Sequence, residues 1–248
     1  MKHIPNFITS LNLASGFISI LYALNGNQAA ASWLILAAMA FDFLDGFSAR
    51  MLKAYSPMGR ELDSLADIVS FGIAPAILIY NLLAASLSLP ADAISNAEGS
   101  LTILILLSPV IMPVCAGLRL AKFNIDETQV TSFKGLPTPA NALAVIGLVI
   151  GAEYSDSALI NSITGSVYAL EIITIVLSLI MVIRIPMFSL KFSHLKLKGN
   201  EERYILALLS IAALIVFGLA GAALIIPLYL IISLGSLFRR ERPVAGSR

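Results

Sequence analysis

Residues 42–67 read DFLDGFSARMLKAYSPMGRELDSLAD, four aspartates set in a strongly apolar chain. Asp42 and Asp45 are three apart, Gly46 follows at once, and Ala49 and Arg50 stand one turn further on. Gly59, Asp63 and Asp67 complete the stretch. Helical spacing puts Asp42 and Asp45 on one face of one helix, and Asp63 and Asp67 on one face of the next. A turn around Tyr55, Ser56 and Pro57 reverses the chain. Gly59 permits a tight approach there, and the two acidic pairs are expected face to face. Carboxylates inside a membrane are costly without positive charge among them, and four together repel unless cations bind between them. The spacing therefore predicts a site for one or two divalent cations, with Mg²⁺ or Mn²⁺ suited to oxygen ligands. Gly46 leaves the helix bare beside Asp45, where a diphosphate fits, and Arg50 is placed to pair with a phosphate or an aspartate.

The rest of the composition sets the surroundings of this site. The 248 residues are 58% hydrophobic, with a mean hydropathy of +0.90. A soluble interior cannot bury that much apolar surface, so the expectation is an integral membrane protein. A formal net charge of +1 gives no argument for nucleic-acid binding. The single cysteine, Cys115, excludes an internal disulfide and reads as helix packing. His3 and His194 are too far apart in sequence to suggest a metal pair. The first apolar run reads as a spanning helix rather than a signal peptide.

Apolar segments separated by polar breaks predict an all-α, polytopic helical bundle of about eight transmembrane helices. They fall at about 8–25, 29–52, 61–84, 101–121, 139–154, 165–186, 203–219 and 221–239. The last two form one apolar run, split at Gly218–Gly221 because it is far longer than the roughly 20 residues of one crossing. With the N-terminus inside, all lysines and arginines fall on the cytoplasmic side: Lys2; Arg50, Lys53 and Arg60; Arg119, Lys122 and Lys134; Arg184 to Arg203; Arg239 to Arg248. The outer loops carry Asp92, Glu98, Glu153 and Asp156. The positive-inside rule then predicts both termini in the cytoplasm and the aspartates at that face. Residues 1–248 are expected to form one membrane domain. Its catalytic core runs over about 1–190, followed by a cytoplasmic loop and a C-terminal helix pair.

The pattern D-x-x-D-G-x-x-A-R, eight residues, G-x-x-x-D-x-x-x-D resembles the signature of the CDP-alcohol phosphatidyltransferases. It is met without departure by Asp42, Asp45, Gly46, Ala49, Arg50, Gly59, Asp63 and Asp67. The resemblance implies a membrane enzyme that takes a CDP-linked lipid, releases CMP and joins the phosphatidyl group to an alcohol. It implies that Asp42, Asp45 and Asp63 hold metal and the CDP diphosphate. Asp67 is implied as general base and further metal ligand, and Gly46, Ala49, Arg50 and Gly59 as the CDP-lipid site. It also implies a homodimer, and the charge pattern above sets it in the cell membrane with the active site facing the cytoplasm. Independently, a carboxylate near an acceptor hydroxyl suits proton removal during displacement at phosphorus.

The flanks bear on the acceptor. The run LDSLADIVSFGIAPA, with Ile68 where the glycerol-phosphate branch commonly has lysine, resembles the phosphatidylserine synthase branch. So do the segments Arg119–Asn124 and Lys134–Ala140, and the start with Pro5, Asn6, Thr9 and Asn12. This implies CDP-diacylglycerol and L-serine as substrates. Arg119 and Lys122, three apart, are expected on one face, with Lys134 in the loop, holding serine carboxylate or lipid phosphate. The alternative for these cations is contact with anionic headgroups. Asn124 and Thr138 suit a polar head, a cap or loop closure. Other readings are the same chemistry on glycerol 3-phosphate or an inositol phosphate, a cation transporter using the carboxylates as an ion path, and a noncatalytic scaffold. The transporter predicts acids spread through the bilayer depth, whereas these cluster near one face.

Overall fold

The polar breaks carry the start signals of helices. Helix α1 (Ile4–Leu24) has a proline in its first turn. Helix α2 (Gln28–Met51) is capped by Asn27, which accepts the Ala30 N–H at 3.0 Å. Ser56 caps α3 (Pro57–Asp67) by accepting the Gly59 N–H at 2.9 Å. The computed structural model describes residues 3–90, 93–125, 133–183, 185–188, 196–197 and 199–240, without the side chains of 133, 134 and 237–240. The side chains of Lys2, Asp92, Lys134, Arg184, Lys191, His194, Lys198, Arg239, Arg240, Arg242 and Arg248 lie outside the described residues.

Helix α3 widens into a π-helical turn over Ile68–Ile73 before α4 (Ala74–Ser86). After α5 (Ala93–Asn96), helices α6 (Ser100–Leu107) and α7 (Ile111–Ile125) are joined by a 3₁₀ turn, Ser108–Val110. Pro109 and Pro113 remove two amide donors from this run, which accounts for the tighter turn. Strand β1 (Phe133–Lys134) pairs antiparallel with β2 (Pro186–Met187), Phe133 opposite Met187. Between them lie α8 (Thr138–Tyr154), α9 (Ala158–Thr164) and α10 (Val167–Val182). Helices α11 (Glu201–Phe217) and α12 (Ile225–Arg240) follow.

Among the described residues, five helical runs are long and apolar enough to cross a membrane, or six with α9 and α10, which meet at an 81° bend. Helix α8 has 17 residues, about 26 Å at 1.5 Å per residue. The last of the five runs, Glu201–Ser236, spans 36 residues, about 54 Å if straight. It folds back instead. Gly218 adopts φ +58° and ψ −142°, a conformation that a side chain opposes. A Cβ on Gly221 would collide with the Ala213 carbonyl group, so residues eight apart sit in contact. The expected break at Gly218–Gly221 is thus a real reversal.

Helix α8 is buried along almost its whole length and supplies the floor of the bundle. A Cβ at its Gly147 would stand 2.8 Å from the Ala222 carbonyl oxygen, so the 218–224 turn packs backbone-close against it. Outward faces carry large apolar side chains such as Phe7, Phe17, Leu104, Ile172, Leu208 and Ile215, as a lipid-facing surface requires.

Candidate active site

The two acidic pairs do converge, but not by direct packing of α2 on α3. Helix α1 packs along both and joins them. Its Asn6, Thr9 and Asn12 recur every third residue and present one polar stripe. Thr9 Oγ1 donates to Asp45 Oδ2 at 2.6 Å. Asn12 Nδ2 donates to Asp67 Oδ1 at 3.5 Å, and the Asn12 carbonyl accepts the Ser70 hydroxyl from the π turn at 3.0 Å. Gly59 lies within α3 rather than in the turn. A Cβ there would stand 3.0 Å from both Asn6 Oδ1 and Ser56 Oγ, so the close approach it allows is that of α1.

Asp42, Asp63 and Asp67 each offer a carboxylate oxygen within 4.8 Å of the others. Asp45, grouped with them on sequence, is turned toward Thr9 and lines a neighbouring cavity. Asp67 Oδ2 also accepts the Thr138 hydroxyl at 3.4 Å from the first turn of α8. Both bonds to Asp67 are long, so they orient the carboxylate and leave it able to take another proton or ligand. Asp63 Oδ1 is buried without a hydrogen-bond partner. An orphaned carboxylate oxygen beside two more carboxylates fits a hard divalent cation, because a buried acceptor left unmade is costly.

Two cavities meet at this cluster, with Asp63 and Arg60 lining both. The first, about 260 Å³, is lined by Asn6, Thr9, Asp45, Gly46, Ala49, Arg50, Tyr55 and Gly59. Gly46 faces it openly: a Cβ would meet only Arg50 Nη1, at 3.5 Å. Four residues expected to serve a diphosphate, Gly46, Ala49, Arg50 and Gly59, are therefore brought together with Asp45. The second cavity, about 390 Å³, has Asp42, Asp67, Arg119, Asn124 and Thr138 in its lining. Arg119 Nε is buried there without a partner, and Asn124 donates to Ser64 Oγ at 2.9 Å.

Lys122 corrects the sequence expectation. It is exposed on α7 and stands outside this lining. Leu120, Phe123 and Asn124 line the cavity beside Arg119. At 100° per residue that face is centred away from position 122. Lys134 has its backbone in β1, and its side chain lies outside the described residues. Tyr229, near the end of the chain, also lines the second cavity. Its hydroxyl donates to the Phe188 carbonyl at 3.0 Å. Sequence reasoning passed over it, and the signal was one tyrosine in an apolar helix.

The family model for CDP-alcohol phosphatidyltransferases matches residues 2–183. The CDP-diacylglycerol–serine O-phosphatidyltransferase of Bacillus subtilis (strain 168) is 35% identical over 202 residues, 82% of this chain and 96% of that relative. The protein of the same name from Methanocaldococcus jannaschii is 39% identical over 171 residues, 69% of this chain and 71% of its own length. The archaetidylserine synthase of Methanothermobacter thermautotrophicus is 37% identical over 155 residues, covering 62% of this chain and 60% of that relative.

Proposed function

Because this chain belongs to the CDP-alcohol phosphatidyltransferase family, we propose that it transfers the phosphatidyl group from CDP-diacylglycerol to L-serine, forming phosphatidylserine and CMP. The observation that carries this reading is the junction of two cavities at one carboxylate cluster. Displacement at phosphorus needs the leaving group on one side and the acceptor on the other. The cavity with Gly46, Ala49, Arg50 and Gly59 takes the CDP diphosphate, where the bare Gly46 surface allows phosphate contact and Arg50 supplies charge. The cavity with Asp67 and Arg119 takes serine. The unpartnered Arg119 Nε suits the serine carboxylate.

In this scheme Asp67 accepts the serine hydroxyl proton as that oxygen bonds to the phosphorus bearing the diacylglycerol. The bond from this phosphorus to the bridging oxygen breaks, and CMP leaves with that oxygen. Asn12 and Thr138 hold the Asp67 carboxylate toward the junction. Asp42, Asp63 and Asp67, with Asp45 beside them, would hold Mg²⁺ or Mn²⁺. When bound, the cation supplies charge neutralisation for the diphosphate and the leaving CMP. The wider reading is one membrane-embedded unit of eight crossings in the cell membrane, with both termini and the site at the cytoplasmic face. It assembles as a homodimer, tested by its mass in nanodiscs.

The test of the activity is CMP release by purified protein with CDP-diacylglycerol and Mg²⁺ or Mn²⁺. Serine, glycerol 3-phosphate and inositol phosphate are offered separately. Serine should give the fastest release, and chelation should stop it. Faster release with either phosphorylated acceptor would refute the acceptor, and release unaffected by chelator would refute the metal.

A further inference from the structure

Arg119 shares the second cavity with two residues from far along the chain, Phe188 and Tyr229. Both lie beyond residue 183, where the family match ends, so that match assigns neither one. They form a unit. The Tyr229 ring on α12 meets the Phe188 ring edge-on, with 4.9 Å between centroids. The phenol hydroxyl donates to the Phe188 carbonyl oxygen at 3.0 Å. Tyr229 is 1% exposed, so the ring and its hydroxyl are held in one place.

Phe188 directly follows β2, and β2 carries the bond onward. Strands β1 and β2 pair over two residues each, a ladder too short to persist alone. Pro186 brings no amide donor to it. Beyond the ladder the Gly135 N–H donates to the Ile185 carbonyl at 2.9 Å, and the Leu136 N–H to the Ile180 carbonyl in α10 at 3.1 Å. Gly135 adopts φ +83°, and a Cβ on it would stand 2.6 Å from the Met181 carbonyl oxygen. The loop therefore lies backbone-close against the end of α10, where only glycine fits. Two residues past Leu136, the Thr138 hydroxyl donates to Asp67 Oδ2 at 3.4 Å. A relay thus runs from α12 through the Phe188 carbonyl to β2, from β2 to the 135–138 loop, and from that loop to Asp67.

We propose that Tyr229 is a positioning residue for the acceptor. Through the Phe188 carbonyl it holds β2 and the 135–138 loop, so that Thr138, Asp67 and Arg119 meet serine in one fixed arrangement. This rests on the transferase reading and adds what the last helix contributes to it. The nucleotide side is independent of the relay, because every residue lining the first cavity falls between Pro5 and Asp63.

Tyr229→Phe keeps the ring and removes the hydroxyl. CMP release by the full-length protein in nanodiscs is measured against serine concentration, at saturating CDP-diacylglycerol with Mg²⁺. Calorimetry with water-soluble CDP reports the first cavity. Loss of this buried hydrogen bond should raise the serine KM about tenfold. Asn12 still orients Asp67, so kcat should fall less than KM rises, and CDP affinity should stay at the wild-type value. Thr138→Val cuts the other end of the relay. Acting through one loop, the two changes should not add, and the double variant should resemble the weaker single variant. An unchanged serine KM in Tyr229→Phe would overturn the proposal while leaving the transferase reading standing. So would additive effects, which put Tyr229 outside the relay. Loss of CDP affinity along with serine affinity would make Tyr229 a general packing residue and also overturn it. No CMP release from the wild type with serine would overturn the transferase reading, and this inference with it.

Discussion

Thr9→Val isolates what α1 contributes to the site. Valine keeps the β-branched shape of threonine, so the helix should form as before and the hydroxyl is what is lost. What disappears is the donor 2.6 Å from Asp45 Oδ2. The threonine proton is also within reach of the Pro5 carbonyl at 3.0 Å, but the shorter, charge-assisted contact takes it. Thr9 is 3% exposed and Asp45 6%, so the threonine hydroxyl is a fixed donor to that carboxylate, which otherwise faces the first cavity. A hydrogen bond to a charged group contributes about 1.5–3 kcal/mol. At 1.4 kcal/mol per factor of ten, CDP-lipid affinity should fall roughly tenfold to a hundredfold. Calorimetry with CDP-diacylglycerol and Mg²⁺ in nanodiscs measures this directly. Thr9→Ser keeps the hydroxyl and should recover most of the affinity. If Thr9→Val binds as tightly as wild type, Asp45 is not held for the diphosphate by α1, and the role given to the polar stripe is wrong.

Asp42→Asn, Asp45→Asn and Asp63→Asn should each abolish turnover and weaken metal-dependent CDP-lipid binding, because each removes a negative oxygen ligand. Full, metal-dependent activity in any one would remove that residue from the cation site. Gly46→Leu should insert and fold yet lose nucleotide affinity, since its side chain occupies the cavity beside Asp45; unchanged CDP affinity would contradict the close approach. Asp67→Asn should cut single-turnover CMP release by about a hundredfold or more. Its CDP-lipid binding should suffer less than in the other three, and near-normal turnover would exclude it as the base.

The helical bundle was legible because a bilayer demands apolar runs of fixed length, and the observed helices start and stop within a few residues of those runs. The reversal at Gly218 was legible for the same reason: no single crossing accommodates Glu201–Ser236. The convergence of Asp42, Asp63 and Asp67 was readable from spacing. The means of convergence was not, because a period of three polar residues in α1 shows a face without naming its partner. Lys122 was misplaced because spacing of three fixes only the relative angle between two side chains. Which way α7 turns is set by the face carrying Arg119, Leu120 and Asn124, which lines the second cavity. Tyr229 joins the site through a reversal more than 75 residues beyond the end of α8's first turn, a tertiary event that its own helix does not announce. The π turn after Asp67 was equally silent, though the backbone contact of Gly16 with Ser70 explains why two residues there are small.

In the proposed transfer a serine oxygen displaces CMP at the lipid phosphorus beside Asp67. Serine labelled with ¹⁸O in its hydroxyl, CDP-diacylglycerol and Mg²⁺ test it in one reaction read by mass spectrometry. Phosphatidylserine should carry the label, with unlabelled CMP released in equal amount. Phosphatidic acid as the lipid product, or label appearing in CMP, would contradict it.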